Sequence, residues 1–126
     1  MTFSDTLELE IGGEKFVLRY HRGETDDQLY VWIPSRGALA TADYYQGFLP
    51  NVGNGNRMQR YPEEWAVALR EMVSENPTLL LPAHGEAISD PAEIKENLTV
   101  LADTLQHIVD YTIGELNKGT RKDLIA

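Results

Sequence analysis

The sequence has no cysteine among its 126 residues. This absence excludes a disulfide framework, a thiolate nucleophile and a zinc site built on cysteine ligands. A metal ion, if the protein binds one, must be held by histidine, aspartate and glutamate side chains. The histidines are His21, His84 and His107, and no two of them are two residues apart. A His-x-His pair is therefore excluded as well.

Positive charge is also scarce, because 11 lysines and arginines stand against 20 aspartates and glutamates, for a formal net charge of -9. No basic cluster is present, so we expect neither nucleic acid nor an anionic membrane as a partner. An apolar run of membrane-spanning length and a basic, apolar leader are absent too, which predicts a cytoplasmic location. A hydrophobic fraction of 42% in a chain of this length is typical of one compact unit with a modest core.

The apolar pattern predicts an α/β protein. Leu7, Leu9 and Ile11 alternate with Glu8 and Glu10, and after Gly12 and Gly13 the residues Phe16, Leu18 and Tyr20 alternate with Val17 and Arg19. This pattern is typical of a β-hairpin with a two-glycine turn. Residues 29–33 are apolar or aromatic throughout and predict a strand covered on both faces. Shorter strands are predicted at 38–41 and 78–81, and the segment 46–60 is a long loop by composition.

Two helices are predicted in the second half of the chain. The first begins at Pro62, carries Trp65 and Leu69 on its buried side, and ends at Asn76 and Pro77. The second begins at Asp90 and Pro91 and runs to Gly119. Its apolar stripe predicts docking onto a partner surface, and the residues of the stripe are Ile94, Leu98, Leu101, Leu105 and Ile108.

Three of the predicted strands are followed by side chains that bind metals. Glu24 follows the second strand, Asp43 follows the fourth, and His84 follows the fifth. Strand ends bring distant residues together on a rigid support. Carboxylate and imidazole groups suit zinc, manganese or iron, and two such ions close together activate water. Taken singly, Glu24 or Asp43 is more often a turn or cap residue, but the set of three favours a site.

The segments Gly23-Glu24-Thr25, Ala42-Asp43 and His84-Gly85 together resemble the second half of a metallo-β-lactamase-fold hydrolase. Most such enzymes have histidine in the first segment, and glutamate there is similar to the alkyl sulfatase branch. Asn51 and Arg60 resemble the substrate-side segment of that branch. The tail over 110–125 resembles the start of its dimerisation region.

This resemblance implies an αββα sandwich of which only the C-terminal half is present. Residues 1–89 would be the second half of the catalytic domain, and residues 90–126 would be a long helix and tail that begin a dimerisation region. The His-x-His-x-Asp-His loop of the first half is absent from the sequence. We therefore expect the chain to be a fragment that is inactive alone, and to associate with itself or with the missing N-terminal half.

The resemblance also implies roles for single residues. The parent would cleave sulfate esters with water activated by a dinuclear metal centre, zinc being the expected metal. Glu24 and His84 would serve one ion, and Asp43 would bridge both as the catalytic carboxylate. Asn51 and Arg60 would contact the small-molecule ester, with Thr25 and Asp27 supporting the metal ligands.

Several alternatives remain open at this point. Arg57 and Arg60 suit an oxygen pair of a sulfate or phosphate, but pairing with Glu63 or Glu64 at the surface is at least as compatible with their positions. His21 is expected to pack or cap, and His107 to be exposed or at an interface. The second hypothesis for the whole chain is a non-catalytic interaction module that dimerises and derives from the hydrolase fold.

Overall fold

A computed structural model describes residues 2–53 and 59–125 of the chain. These residues form five strands and two helices, with 3-10 turns at Pro34–Arg36 and Lys122–Leu124. The elements in chain order are β1 (Thr6–Ile11), β2 (Glu14–Tyr20), β3 (Leu29–Ile33), β4 (Ala38–Ala42), α1 (Pro62–Ser74), β5 (Leu79–Pro82) and α2 (Pro91–Asn117).

The strands form one sheet in the order β1-β2-β3-β4-β5. Neighbouring strands from β1 to β4 are antiparallel, and β5 lies parallel to β4 because α1 carries the chain back across the sheet. The two-glycine hairpin is found as predicted, with Ile11 opposite Glu14. This topology puts the carboxyl ends of β2, β4 and β5 at the same edge of the sheet, which we call the site edge.

The two faces of the sheet differ in what covers them. One row of side chains across the five strands consists of Glu8, Val17, Trp32, Leu39 and Leu80, which we call the covered row. Its last four members are at most 8% exposed and pack with both helices in one core. The next row, on the opposite face, consists of Leu7, Leu18, Val31, Ala40 and Leu81, which we call the open row. None of its members is buried.

Strand β3 shows this difference within five residues. Tyr30 and Trp32 are buried, whereas Leu29, Val31 and Ile33 are partly exposed. The expectation that this strand is covered on both faces is therefore wrong for the chain as the structure describes it. The physical reason is that α1 and α2 both pack on the covered-row side, as the shared core cluster shows.

Helix α1 begins at Pro62, as predicted, with Glu63 and Glu64 in its first turn. A charged cluster binds it to β2, because the Arg19 guanidinium donates to Glu71 and Glu75, both at 2.8 Å. His21 also bonds to the Glu71 carboxylate. The His21 ring also stacks on Tyr30, with 6.3 Å between the ring centroids.

Helix α2 begins with its predicted cap, since the Asp90 carboxylate accepts a 2.9 Å hydrogen bond from the Ala92 N–H. Leu101 and the rest of the stripe as far as Leu105 are buried against the chain's own core. The prediction that this stripe docks onto a partner surface is therefore wrong over 94–105. Beyond Leu105 the helix has no buried residue, and it ends at Asn117, two residues before Gly119.

No helix in residues 2–53 and 59–125 combines the length and the apolar character needed to cross a lipid bilayer.

Candidate metal centre

The structure brings Glu24, Asp43 and His84 to the site edge. The His84 Nε2 atom lies 3.1 Å from Asp43 Oδ1. Glu24 is connected to this pair through Gln46, whose side-chain amide donates to Glu24 Oε2 at 2.9 Å and to the Asp43 carbonyl at 3.2 Å. Asp43 and His84 are thus in contact, and Glu24 is connected to them through Gln46. The convergence of the three side chains on one metal centre, and their roles as ligands, stay a prediction.

The end of β4 turns Asp43 into this position. The pairing between β4 and β5 shifts register between Ala40 and Ala42, and Ala42 adopts a left-handed φ of 48°. A bulge of this kind re-aims the following side chain. The next residue, Tyr44, is fully buried, and its carbonyl accepts a 2.9 Å hydrogen bond from the Trp65 indole N–H. Asp43 therefore stands on a support fixed by the core.

Tyr44 also connects this support to the end of β2. Burial raises the pKa of the Tyr44 phenol, which therefore stays protonated and donates a hydrogen bond to the His21 carbonyl. Gly23 packs on the same ring, since a Cβ at Gly23 would lie 2.8 Å from Tyr44 Cε1. A glycine is needed before Glu24 because a side chain there would push the loop away from Tyr44.

Glu24 is the most enclosed of the three residues. Its N–H donates to the Gln28 side chain at 2.7 Å, which fixes the start of the loop. Its Oε1 pairs with the Arg60 guanidinium, while Oε2 accepts from Gln46. The side chains of Glu24 and Arg60 are 25% and 10% exposed. Both carboxylate oxygens of Glu24 therefore already have donors from this chain.

Asp43 and His84 are more accessible, with side chains 43% and 63% exposed. Asp43 Oδ1 is nevertheless buried, and among residues 2–53 and 59–125 it has no hydrogen-bond partner, although His84 Nε2 lies 3.1 Å away. The Asp43 oxygen thus lies beside the His84 imidazole without a hydrogen-bond donor among the described residues. A carboxylate oxygen and an imidazole nitrogen placed in this way are two ligand atoms that suit a divalent cation. These two residues fit a metal ion.

The fit does not extend to a complete ligand set. Within the described residues no three histidine, aspartate or glutamate side chains are placed to hold one ion together. Glu24 is at the same edge, but its carboxylate is paired with Arg60. The chain thus presents two candidate ligands in contact and a third that a cation of the protein already occupies.

The remaining predicted residues lie around this centre in different ways. Thr25 donates a 2.8 Å hydrogen bond to Asp27 at the exposed tip of the loop. The Asn51 side chain is exposed and accepts from the Gly53 N–H at 3.0 Å, as in a turn. Of the two arginines, Arg60 reaches the site edge by pairing with Glu24, and Arg57 lies outside the described residues.

Sequence reasoning missed Gln28 and Gln46, although both hold Glu24 in place. Neither residue type is a metal ligand of choice, and neither lies at a spacing that marks a motif. The one signal was Gln28 itself, a polar residue directly before an apolar strand, which the structure shows to be 8% exposed. A buried glutamine needs partners, and the loop supplies one.

These features define a class of fold, and comparison with solved structures identifies it as the metallo-β-lactamase fold. The stereoselective inverting sec-alkylsulfatase Pisa1 from Pseudomonas sp. matches 94% of this chain with a TM-score of 0.82 and 15% identity, over 19% of its own chain. A metallo-β-lactamase from Pontibacter korlensis matches 83% of the chain with a TM-score of 0.64 and 20% identity, over 47% of its own chain. The predicted fold class is confirmed over this partial region.

The sequence comparison is more specific. The chain is 30% identical over 125 residues to a linear primary-alkylsulfatase from Pseudomonas sp. strain ATCC 19151, a match that covers 97% of this chain. It spans about a quarter of that relative's length, 24%. No protein-family model matches the chain. The predicted resemblance to the alkyl sulfatase branch is confirmed.

Proposed function

We propose that this chain supplies one half of the active site of a metal-dependent hydrolase that cleaves sulfate esters. The observation that carries the proposal is the Asp43 and His84 pair at the site edge, with a buried carboxylate oxygen that lacks a donor. The alkylsulfatase relative supports sulfate esters as the substrate class, because the likeness runs along nearly the whole chain.

In this proposal Asp43 and His84 hold a divalent ion, zinc being the first candidate, and Glu24 completes the set in the assembled site. A bound divalent ion would lower the pKa of water and offset charge on the ester oxygens. The chain's own contribution is to fix the ligand positions, through the bulge at Ala42 and the support of Tyr44. Arg60 and Asn51 are the candidate groups for the sulfate oxygens.

The same proposal requires a second half. Two adjacent donor atoms hold an ion weakly, since closed zinc sites have four ligands and catalytic ones three from the protein. We propose that another sheet, of the kind that metallo-β-lactamase-fold proteins place in their first half, packs on the open row and brings the other ligands. The apolar character of that row supports this arrangement, because exposed apolar patches mark interaction surfaces.

Metal titration tests the ligand assignment directly. The purified chain should bind Co²⁺ weakly, and Asp43→Asn or His84→Ala should reduce the affinity by about tenfold or more. His107→Ala is the matched control, because His107 is exposed and stacks on Tyr111 along α2. Equal affinity in all four proteins, measured by calorimetry and cobalt absorption, would show that the pair is not a metal site.

A reconstitution experiment tests the hydrolase assignment. The chain alone should not turn over an alkyl sulfate. Mixed with the N-terminal half of the catalytic domain of its alkylsulfatase relative, it should give metal-dependent release of sulfate that Asp43→Asn abolishes. A reconstituted protein that binds the metal but leaves sulfate esters intact would contradict the substrate class and leave the metal site standing.

A second candidate function rests on a different observation. Helix α2 exposes Tyr111, Ile113 and Leu116 to 44–50% beyond the part that packs on α1. This distal segment supports the alternative of a dimerising interaction module without catalysis. Such a module would self-associate, and Co²⁺ would bind to it no better than to the Asp43→Asn variant.

A further inference from the structure

Of the three predicted ligands, Glu24 differs from Asp43 and His84 because it forms an ion pair with Arg60. Arg60 contacts the Glu24 carboxylate through Nη1, and the same atom lies 3.4 Å from the Glu24 carbonyl oxygen. The guanidinium is one-tenth exposed, so water screens this pair less than a surface pair. Asp43 and His84 have no such cation of the protein on them among the described contacts.

A guanidinium and a metal ion cannot share one carboxylate oxygen at contact distance, because both are positive and the second repels the first. Arginine stays protonated under all ordinary conditions, so it cannot be neutralised to make room. Glu24 can therefore bind a metal ion through Oε1 only when the Arg60 side chain moves away, and through Oε2 only when Gln46 gives up its hydrogen bond. The Arg60 backbone is held, since the neighbouring Tyr61 N–H donates to the Gly23 carbonyl at 2.9 Å.

The position of Arg60 is incompletely satisfied. Its Nε atom is buried and has no hydrogen-bond partner in the part of the chain that the structure describes, which is unfavourable for a donor in a dry environment. Gln46 connects the two parts of the site, because its amide contacts both Glu24 Oε2 and the Asp43 carbonyl. A rearrangement of the Glu24 side chain would therefore change the hydrogen bonding of Gln46 beside Asp43. The pair has the features of a contact that an incoming cation can replace.

We propose that Arg60 is an internal counter-ion that competes with the metal for Glu24 and so regulates metal loading of the site. This inference rests on the proposed function, since it assumes that Asp43 and His84 bind a divalent ion. In the metal-free chain Arg60 neutralises Glu24. Once the assembled site holds its metal, Glu24 turns to the ion and Arg60 is released to face an anionic group such as a sulfate ester.

A cobalt titration of four variants tests the competition. Arg60→Gln should tighten Co²⁺ binding by about tenfold, the effect of removing one contacting opposite charge from a carboxylate. Glu24→Gln alone should change the Co²⁺ affinity by no more than about twofold. Combined with Arg60→Gln, it should remove the tighter binding that Arg60→Gln produces. Arg22→Gln is the matched control, because Arg22 lies on the loop that carries Glu24 and pairs with Glu64 at the surface. This substitution should leave the Co²⁺ affinity unchanged.

The outcomes separate the two proposals. Binding that depends on Asp43 and His84 but is unchanged or weakened by Arg60→Gln would overturn the counter-ion role alone. The counter-ion role would also be overturned if Glu24→Gln lowered the Co²⁺ affinity as much in the chain with Arg60 as in the Arg60→Gln variant. If no variant binds Co²⁺ better than Asp43→Asn, the proposed function and the inference built on it both fail.

A second measurement avoids any substitution of Arg60, in case that variant does not fold. The side-chain ¹⁵N resonances of Arg60 should move as Zn²⁺ is added to the unchanged chain at high concentration, when the ion begins to compete for Glu24. Those of Arg22 should stay in place. A Zn²⁺ titration that shifts the His84 resonances and leaves Arg60 unaffected up to saturation would contradict the competition.

Discussion

The covered row and the open row run side by side across the same five strands, yet they meet different surroundings. On the covered face, Trp32 and Leu39 are almost completely enclosed by the helices. On the open face, Leu18 and Val31 remain partly exposed although they are as apolar as their neighbours. Both rows belong to the same five strands, so the difference in exposure comes from what packs on each face.

Strand sequences that face water usually alternate apolar with polar residues. Here the one charged member of the two rows, Glu8, lies on the covered side at the edge strand, and the open row has no charge at all. The open row therefore has the composition of a core without its second layer. Asp43 Oδ1 shows a similar condition at the site edge, since among the described residues it is buried without a hydrogen-bond donor.

The largest expected effect compares a leucine from each row. Leu39→Ala should lower the free energy of unfolding by about 3 kcal/mol, because it removes a fully buried side chain and leaves a cavity. Leu18→Ala, the same change on the open row, should cost less, about 1–2 kcal/mol, since Leu18 is only partly buried. Guanidinium unfolding followed by circular dichroism measures both. Equal losses would mean that the open row is covered in solution.

The next prediction concerns the charge that the covered face tolerates. Arg19→Met should cost about 1–2 kcal/mol of unfolding free energy, because Glu71 and Glu75 then lose a partly buried partner. Arg36→Met is the control, since Arg36 pairs with Glu14 while 68% exposed, and such a pair contributes about 0–1 kcal/mol. A neutral Arg19→Met would show that the cluster does not hold α1 to the sheet.

The open row itself is tested by adding a charge. Val31→Glu should lower the unfolding free energy of the monomer by no more than about 1 kcal/mol, because the side chain can reach water. It should also weaken self-association or binding of a complementing half, since a charge buried without a partner opposes both. Sedimentation velocity at several concentrations, with Glu10→Gln on β1 as control, measures association. An unchanged assembly would place the interface elsewhere, such as the distal part of α2.

The sequence predicted most of the fold because local patterns determine it. The two-glycine hairpin, the proline at the start of α1 and the Asp90 cap each follow from backbone chemistry within a few residues. The buried side of β3 was not separable from its open side, since every residue from 29 to 33 is apolar or aromatic. Periodicity detects coverage only where polar residues mark the uncovered face.

The candidate site was predictable in position and not in its internal contacts. Glu24, Asp43 and His84 follow strand ends, and the strand order then brings them to one edge. The pairing of Glu24 with Arg60 and the bridge through Gln46 depend on side-chain placement across 36 and 22 residues of sequence. No local pattern contains that information. The covered part of the α2 stripe is unpredictable for a related reason, because α1, which packs on it, lies 20 to 43 residues away in the chain.

The smallest expected effect concerns Asp43, the group that the chain leaves without a donor. Asp43→Asn should raise the unfolding free energy of the metal-free chain by about 0.5–1 kcal/mol, because it replaces a carboxylate whose Oδ1 atom is buried without a hydrogen bond among the described residues. Asp27→Asn should change it by less than about 0.5 kcal/mol, since Asp27 is exposed and bonded to Thr25. Added Zn²⁺ should reverse the order, stabilising the unchanged chain and not the Asp43→Asn variant, because a ligand that binds the folded state stabilises it. If Asp43→Asn instead destabilises the metal-free chain and Zn²⁺ acts equally on both proteins, Asp43 is a turn residue and the site edge has no metal function.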